Sequence, residues 1–554
     1  MKKTLAIIIA ALGCATANAQ EINAVVTRQG TTNKNCYQLS SLPSVVFGEG
    51  NTITVNEGET AKEQYTISGS NTLTVLFGSA INNEVNAESL EVAYPIYILD
   101  NGKLSVSGTM SNANANNLVI EDGGQLIHSS TGVMATFEKN VLTYSSTEAT
   151  DGWNLIASPF NDNLSIADHT VLGENHDLYL YNEPTHYWYN SKATGEGSFN
   201  SLKNGKGYLY SQAGTDGNVI KMDGQLLPST TDKSIELQYT PKLLDDVTPN
   251  TLKGFNLVGN PYACDAYLSL YVQSGDEEQA ITQPTFLRLN QFGSEFLSTT
   301  GSYVTVKAGE GIFVSIPDGY ESHVPEYDYF ARFSKNQPQN AAPSQALDIT
   351  VSEAERGANV INNAIVCFGE GFNTEKFMLN PENTKIFIPQ NGKEYAAVST
   401  SSTSGEIPVS FKAAKNGSYT ITVNTENVEA EYMHLIDNLT GADVDLLAAS
   451  ASTGSASYSF EAKANDYASR FKLVFGVTGV DENASTSSAN FAYISNGEIV
   501  ISNEGRATLQ VIDVMGRIIS SEEINGECRI STNGMTAGVY VLNLNGMTQK
   551  IGVE

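Results

Sequence analysis

The chain has 554 residues, with 61 acidic against 31 basic side chains, a formal net charge of −30 and 47 glycines. That length accommodates several domains, and the acidity speaks against nucleic acid, whose binding needs a basic footprint. No stretch approaches the ~18 apolar residues of a membrane helix. No cofactor signature is present, although an acidic surface of this kind can recruit calcium.

Met1-Lys2-Lys3 is a positive leader start, Thr4 to Gly13 an apolar run, and Ala17-Asn18-Ala19 before Gln20 a small-x-small cleavage site. Together they predict a secretory signal over residues 1–19 with cleavage at Ala17, Ala19 and Gln20. Leu12-Gly13-Cys14 faintly resembles a lipoprotein box, but Ala11 stands where such a box wants a bulky aliphatic residue. The other cysteines, Cys36, Cys264, Cys367 and Cys528, are far apart with no CxxC, so single buried thiols are expected and their pairing stays open.

Residues 20–150 repeat a strand phrase: Ile53-Thr54-Val55, Leu73-Thr74-Val75-Leu76, Asn101-Gly102-Lys103-Leu104 and Gly123-Gly124-Gln125-Leu126. Leu104 and Leu126 stand 22 residues apart, one rung of a parallel β-helix. The region resembles the short β-helical segments of Bacteroidetes surface proteins. β-Helices also carry polysaccharide-active enzymes, which need clustered acids. Here Asp100, Glu121 and Asp122 sit in turns, where Asp and Asn have local reasons to be.

Residues 151–245 and 246–340 form an internal duplication. Gly152-Trp153-Asn154-Leu155 recurs as Gly254-Phe255-Asn256-Leu257, Leu178-Tyr179-Leu180 as Phe286-Leu287-Arg288, and Gly205-Lys206-Gly207 as Gly309-Glu310-Gly311, at offsets of 102, 108 and 104. The Gly-x-Gly precedes a strand, not a helix, so tight-turn geometry accounts for it better than phosphate binding. The phrases resemble repeats common in Bacteroidetes secreted proteins, a resemblance that implies a β-sandwich-like surface module. In the first copy Tyr179, Tyr181, Tyr187, Trp188 and Tyr189 make an aromatic run. Such a run serves either as cross-strand packing or as a face for a glycan or protein ligand.

Alternating strands over residues 345–477, among them Ser457-Tyr458-Ser459-Phe460 and Arg470-Phe471-Lys472-Leu473, predict a further β-sandwich, and residues 478–490 a Ser/Thr/Asn-rich linker. Residues 491–554 then read as a small separate β-module, with strands through Ala507-Val514 and Gly538-Leu544 punctuated by Asn/Gly turns. The series Asp513, Gly516 and Arg517, then Gly538-Val539-Tyr540, then Lys550 resembles the C-terminal sorting domain of the type IX secretion system of Bacteroidetes. That resemblance implies recognition of an Ig-like tail by the secretion machinery, passage through the periplasm and across the outer membrane, and a secreted or cell-surface destination.

No HExxH, serine elbow or Cys/His signature accompanies the six histidines. His169 and His176 near Asp168, Glu174 and Asp177 allow a metal in principle, but read as exposed acidic-loop residues. The reading is therefore an all-β modular protein with a short parallel β-helix-like region, two tandem β-rich repeats, a β-sandwich and an Ig-like sorting sandwich. No catalytic or metal-ligating set is expected. The cargo reads as a non-enzymatic adhesin-like or structural module binding glycan or protein, the alternative being a polysaccharide-active enzyme with its site in the β-helical region.

Overall fold

The computed structural model describes residues 4–6, 22–29, 32–47, 52–66, 73–144, 150–166, 172–173, 175–195, 197–214, 218–242, 252–281, 283–316, 328–338, 345–357, 359–369, 373–400, 405–425, 428, 430–451, 454–475, 491–495, 497–503, 505–513, 517–545 and 547–553. Strand dominates throughout, as the short alternating runs predict, and the α-helix Leu446–Ser450 is a single turn capped by Asp445.

Strands Leu73–Ile81, Ile96–Ile98, Leu118–Ile120 and Met134–Asn140 stack in parallel, as do Glu84–Ala87, Lys103–Val106 and Gln125–Ile127. Leu104 pairs with Leu126 and Ile98 with Ile120, so the 22-residue period is a β-helical coil. One rung cannot bury its apolar face alone, and these four side chains are fully buried only because rungs lie above and below them. The phrase Ile53-Thr54-Val55 does not join the stack. Strand Thr52–Glu57 turns straight back through Gly58-Glu59 into Thr60–Thr66, and such a two-residue turn enforces antiparallel pairing. Pro43–Phe47 extends this meander and carries Thr4–Ala6 on its other edge.

The two copies share one topology. Asn154–Ala157, Gly207–Gln212, His176–Asn182 and Tyr187–Asn190 lie side by side in that order, and Phe255–Gly259, Gly311–Ser315, Thr285–Leu289 and Phe296–Thr300 repeat it. The shared asparagine is a clamp. Asn154 Oδ1 accepts from Leu142 N at 2.7 Å while its Nδ2 donates to Leu142 O at 3.0 Å. Asn256 does the same to Gln238, at 2.9 Å in both directions. The side-chain amide thereby substitutes for a strand partner where the chain enters each sheet.

The copies then meet across a local pseudo-dyad. Ile156 bridges Glu310 as Val258 bridges Lys206, and Ala157 N donates to Gly309 O at 2.9 Å as Gly259 N donates to Gly205 O at 3.0 Å. This contact explains both glycines of each Gly-x-Gly. The first takes a left-handed turn, φ +80° at Gly205 and +68° at Gly309. The second lets backbones touch: a Cβ on Gly207 would lie 2.5 Å from Val258 O, and one on Gly311 would lie 3.2 Å from the Gly207 Cα.

The described strands of residues 345–475 form one eleven-stranded sheet around a large core, with a small second cluster of Ile365, Cys367 and Ala397. Within it Arg470, fully buried, forks onto Asp437, with Nε to Oδ1 at 3.0 Å and Nη2 to Oδ2 at 2.9 Å, and its guanidinium lies 4.5 Å from the Phe460 ring centroid. Burial pushes the Asp437 carboxyl up, but the Arg470 bonds and charge together hold it below the ordinary value. Its contribution to stability is present at neutral pH and is lost as pH falls below about 4. The tail is a two-sheet sandwich, Ala492–Ser495, Glu498–Ile501 and Cys528–Ser531 over Ile518–Asn525, Arg506–Ile512, Gly538–Leu544 and Met547–Val553. It touches the preceding domain where Tyr493 Oη donates to Ser469 O and Ser469 Oγ donates to Glu527 at 3.1 Å. Cys36, Cys264, Cys367 and Cys528 are free thiols.

Two stability outcomes follow, both measurable by urea denaturation. Gly207→Val forces a side chain into the dyad and is expected to cost ~1–3 kcal/mol or more, whereas the same change at open Gly392 in a surface turn, strained only by its φ of +77°, costs less. Arg470→Met strands a buried Asp437 and is expected to cost ~3–5 kcal/mol.

Candidate functional site

Strand alternation and register divide the five aromatics of the first copy. Tyr181 pairs with Trp188, and Leu180 with Tyr189, so Tyr179, Tyr181 and Trp188 share one face while Tyr187 and Tyr189 share the other. On the outer face Tyr187 is 67% exposed and stands apart. The Tyr189 ring covers Gly197, where a Cβ would come within 2.5 Å of it.

On the inner face Tyr181 is buried. Its ring meets Trp188 at 5.2 Å, Phe313 at 5.2 Å and Phe377 at 5.5 Å, so three modules share this core and Tyr181 is its anchor, out of a ligand's reach. Trp188 and Tyr179 remain half-buried. Trp153, from the segment opening the copy, meets Tyr179 edge-on at 5.8 Å.

These three rings, with Leu209 behind them, form one wall of a cleft of ≈ 320 Å³. Leu379 and Asn380 of the sandwich, with Thr150 and Ser294, complete its lining. The volume falls in the ~300–1,000 Å³ range of small-ligand sites. Thr150 and Ser294 also line a second compartment of ≈ 160 Å³, bounded by Glu295, Glu353, Arg356, Asn383, Thr384 and Lys415.

Glu295 holds the sandwich part of the cleft lining. Its buried carboxylate accepts from Leu379 N at 2.6 Å, Phe296 N at 2.9 Å and Asn380 N at 3.2 Å. Burial raises its pKa and those amide bonds pull it back. Burial likewise lowers the Lys376 ammonium, despite the nearby Glu295 charge, and Lys376 Nζ donates to Asn363 O at 2.5 Å. The charges of the second compartment are closed on one another. Arg356 reaches Asp151 at 3.2 Å and Glu353 at 3.6 Å and lies 4.7 Å from the Phe292 centroid, while Lys415 reaches Glu353 at 3.3 Å and Glu355 at 2.8 Å.

The β-helical acids come together on one flank. Asp122 pairs with Lys139 at 2.7 Å and Glu138 with Lys221 at 2.6 Å. Glu121 is pushed up to about 7, by burial first and then by Glu138, with Asp100 adding and Lys221 opposing. Of the histidines, His176 Nδ1 contacts Gly173 O at 2.8 Å and its ring stacks on Tyr210, and burial lowers His128 to about 4. Among the described residues no three His, Cys, Asp or Glu side chains are placed to hold a metal ion, and no helix is long and apolar enough to cross a membrane.

In the tail Asp513 and Arg517 are bonded to each other. Asp513 Oδ1 accepts from Arg517 N at 2.9 Å, its Oδ2 accepts from Arg517 Nε at 2.7 Å, and Asp513 N donates to Arg517 O at 2.9 Å. Tyr540 buries its ring and donates from Oη to Thr536 O at 2.8 Å, next to exposed Val539. Gly538 pairs with Val553, and Lys550, exposed, pairs with Val541. Gly516, the cleavage residues Ala17, Ala19 and Gln20, the linker 478–490, and Asp168, His169, Glu174 and His323 lie outside the described residues.

Residues 495–553 match the family model of the secretion system C-terminal sorting domain. No curated protein matches the chain. Among solved structures it is similar to a biofilm associated protein, BSP domain, at 9% identity over 78% of this chain and 97% of that one, with a TM-score of 0.12. It is also similar to trypsin-activated alpha-2-macroglobulin from Escherichia coli, at 8% identity over 97% of this chain and 47% of that one, with a TM-score of 0.08. Likenesses this low carry no argument about fold or activity.

The raised Glu121 carboxyl makes a signed prediction. Its folded pKa exceeds its unfolded one, so its contribution is fully present in acid and is lost as pH rises through about 7. Glu121→Gln should therefore raise the melting temperature at pH 8 and leave it unchanged at pH 4, as read by thermal circular dichroism.

Proposed function

We propose, from the premise that this chain carries a type IX secretion C-terminal sorting domain and is secreted across the outer membrane to the cell surface or extracellular space, that its cargo is a non-enzymatic, adhesin-like binding module of a Bacteroidetes cell. The leader over residues 1–19 starts the route, and the tail engages the secretion machinery to finish it. The binding site is the cleft between the first copy, the second copy and the sandwich, and its ligand is a glycan or a protein.

One observation carries this reading. The chain contains two tryptophans in 554 residues, and both, Trp153 and Trp188, line that one cleft. Large aromatic surface left half-open is costly to a soluble protein and is where binding energy concentrates. On the β-helical flank Asp122 and Glu138 are each held by a lysine, so an enzymatic reading would have to use Glu121.

Two experiments test the two halves. In a host with type IX secretion, the full chain should reach the surface or medium and a form lacking residues 491–554 should remain in the periplasm; equal export would remove the tail as the address. Because both tryptophans line the cleft, intrinsic fluorescence reports on it directly. Glycan and protein panels should shift the emission without any product forming, and turnover of a glycan, abolished by Glu121→Gln, would replace the binding reading with the enzymatic one.

A further inference from the structure

Resting on that cleft reading, we infer that its ligand is a neutral glycan chain of at least two sugar units, one ring lying against the Trp153–Tyr179–Trp188 wall and the next reaching past Thr150 and Ser294 into the second compartment.

Shape supports length. The linings of the two compartments share Thr150 and Ser294, so the ≈ 320 Å³ and ≈ 160 Å³ spaces are immediate neighbours. A single ring would leave the narrower part empty.

Charge decides the class. No ionisable acid or base other than the Tyr179 phenol lines the aromatic compartment. In the second, every full charge already has a partner: Glu353 with Arg356 and Lys415, Arg356 also with Asp151, Lys415 also with Glu355. The Glu295 carboxylate is spent on backbone amides. A charged ligand entering here gives up its hydration and finds no free counter-charge. An anion would also have to detach Arg356 or Lys415 from its carboxylates, in a protein whose net charge is −30.

The uncharged polar atoms are a different matter. Trp153 Nε1, Trp188 Nε1, Tyr179 Oη and Asn380 Nδ2 are without partners among the described residues. All four belong to residues that line the aromatic compartment. A pyranose has the complementary layout, an apolar C–H face rimmed by hydroxyls that both donate and accept, and neutral hydrogen bonds of this kind orient a ligand without a charge penalty.

The test uses the mature full-length chain, residues 20–554. Tryptophan emission and calorimetry are followed against neutral β-linked gluco- and manno-oligosaccharides, oligogalacturonides, chitosan oligomers and a peptide library. The expected result is a saturable emission shift with a neutral oligosaccharide, tighter for the trisaccharide than for the monosaccharide and about tenfold or more tighter than for either charged glycan. Trp153→Ala should weaken it about tenfold, the scale of a lost ring face, with the native circular dichroism spectrum retained at the assay temperature.

A second variant does not depend on loss. Asn380→Lys places a cation in the neutral wall and should let oligogalacturonides bind about tenfold tighter than they bind the parent protein, a gain that misfolding cannot mimic. Charged glycans or peptides binding the parent chain best, with Trp153→Ala abolishing that binding, would overturn the neutral-glycan assignment and leave the cleft standing. No emission response to any probe would overturn both.

Discussion

The backbone contact of Gly207 on Gly311 sets the geometry on which the cleft depends. With no side chain at either position, the two copies approach closely enough for Ala157 and Gly259 to donate across the pseudo-dyad. That approach brings Leu155, Tyr181 and Leu209 of one copy onto Phe255, Leu257 and Phe313 of the other, in one core that Phe377 of the sandwich completes. Van der Waals attraction falls off within an ångström of its optimum. A side chain at the dyad would therefore part the aromatic core and move the Tyr179–Trp188 wall away from Leu379.

The same junction shows how an acidic protein presents a neutral cleft. Its carboxylates are used as structural acceptors or paired with cations before any reaches the aromatic wall. Glu295 is the clearest case: one buried carboxylate from the second copy gathers amides of residues 379 and 380 and holds that segment across the cleft. A buried charge is tolerated when its lone pairs are filled, and here filling them also positions the wall. Asp437 with Arg470 applies the same rule inside the sandwich, where five contacts satisfy the carboxylate: two from Arg470, one from the Tyr458 hydroxyl, one from the Leu439 amide and a longer one from the Thr440 amide.

Much of the architecture was legible from local pattern. Rung spacing appears as Leu104 over Leu126 because a β-helical coil repeats at a fixed chain length. The duplication appears as Gly-Trp-Asn against Gly-Phe-Asn because each copy needs the same amide clamp at its entry. The tail motif appears as Asp513 and Arg517 because the two stand four residues apart and bond to each other. Less legible was the second role of Gly-x-Gly. A tight turn explains Gly205 and Gly309, but Gly207 and Gly311 answer to a neighbour about a hundred residues away.

Sequence by itself determined the strand content, the repeat, the rung period and the sorting tail, because each is encoded by residues near one another along the chain. Tertiary structure decided the site. Alternation placed Tyr179, Tyr181 and Trp188 on one face, but not which of them would be covered; Phe313 and Phe377 bury Tyr181 and leave the other two open. Nothing in the local run near Trp153 points to Leu379 or Asn380, more than two hundred residues on. Periodicity specifies which side chains share a face, whereas what packs against that face follows from long-range contacts that only the folded chain makes.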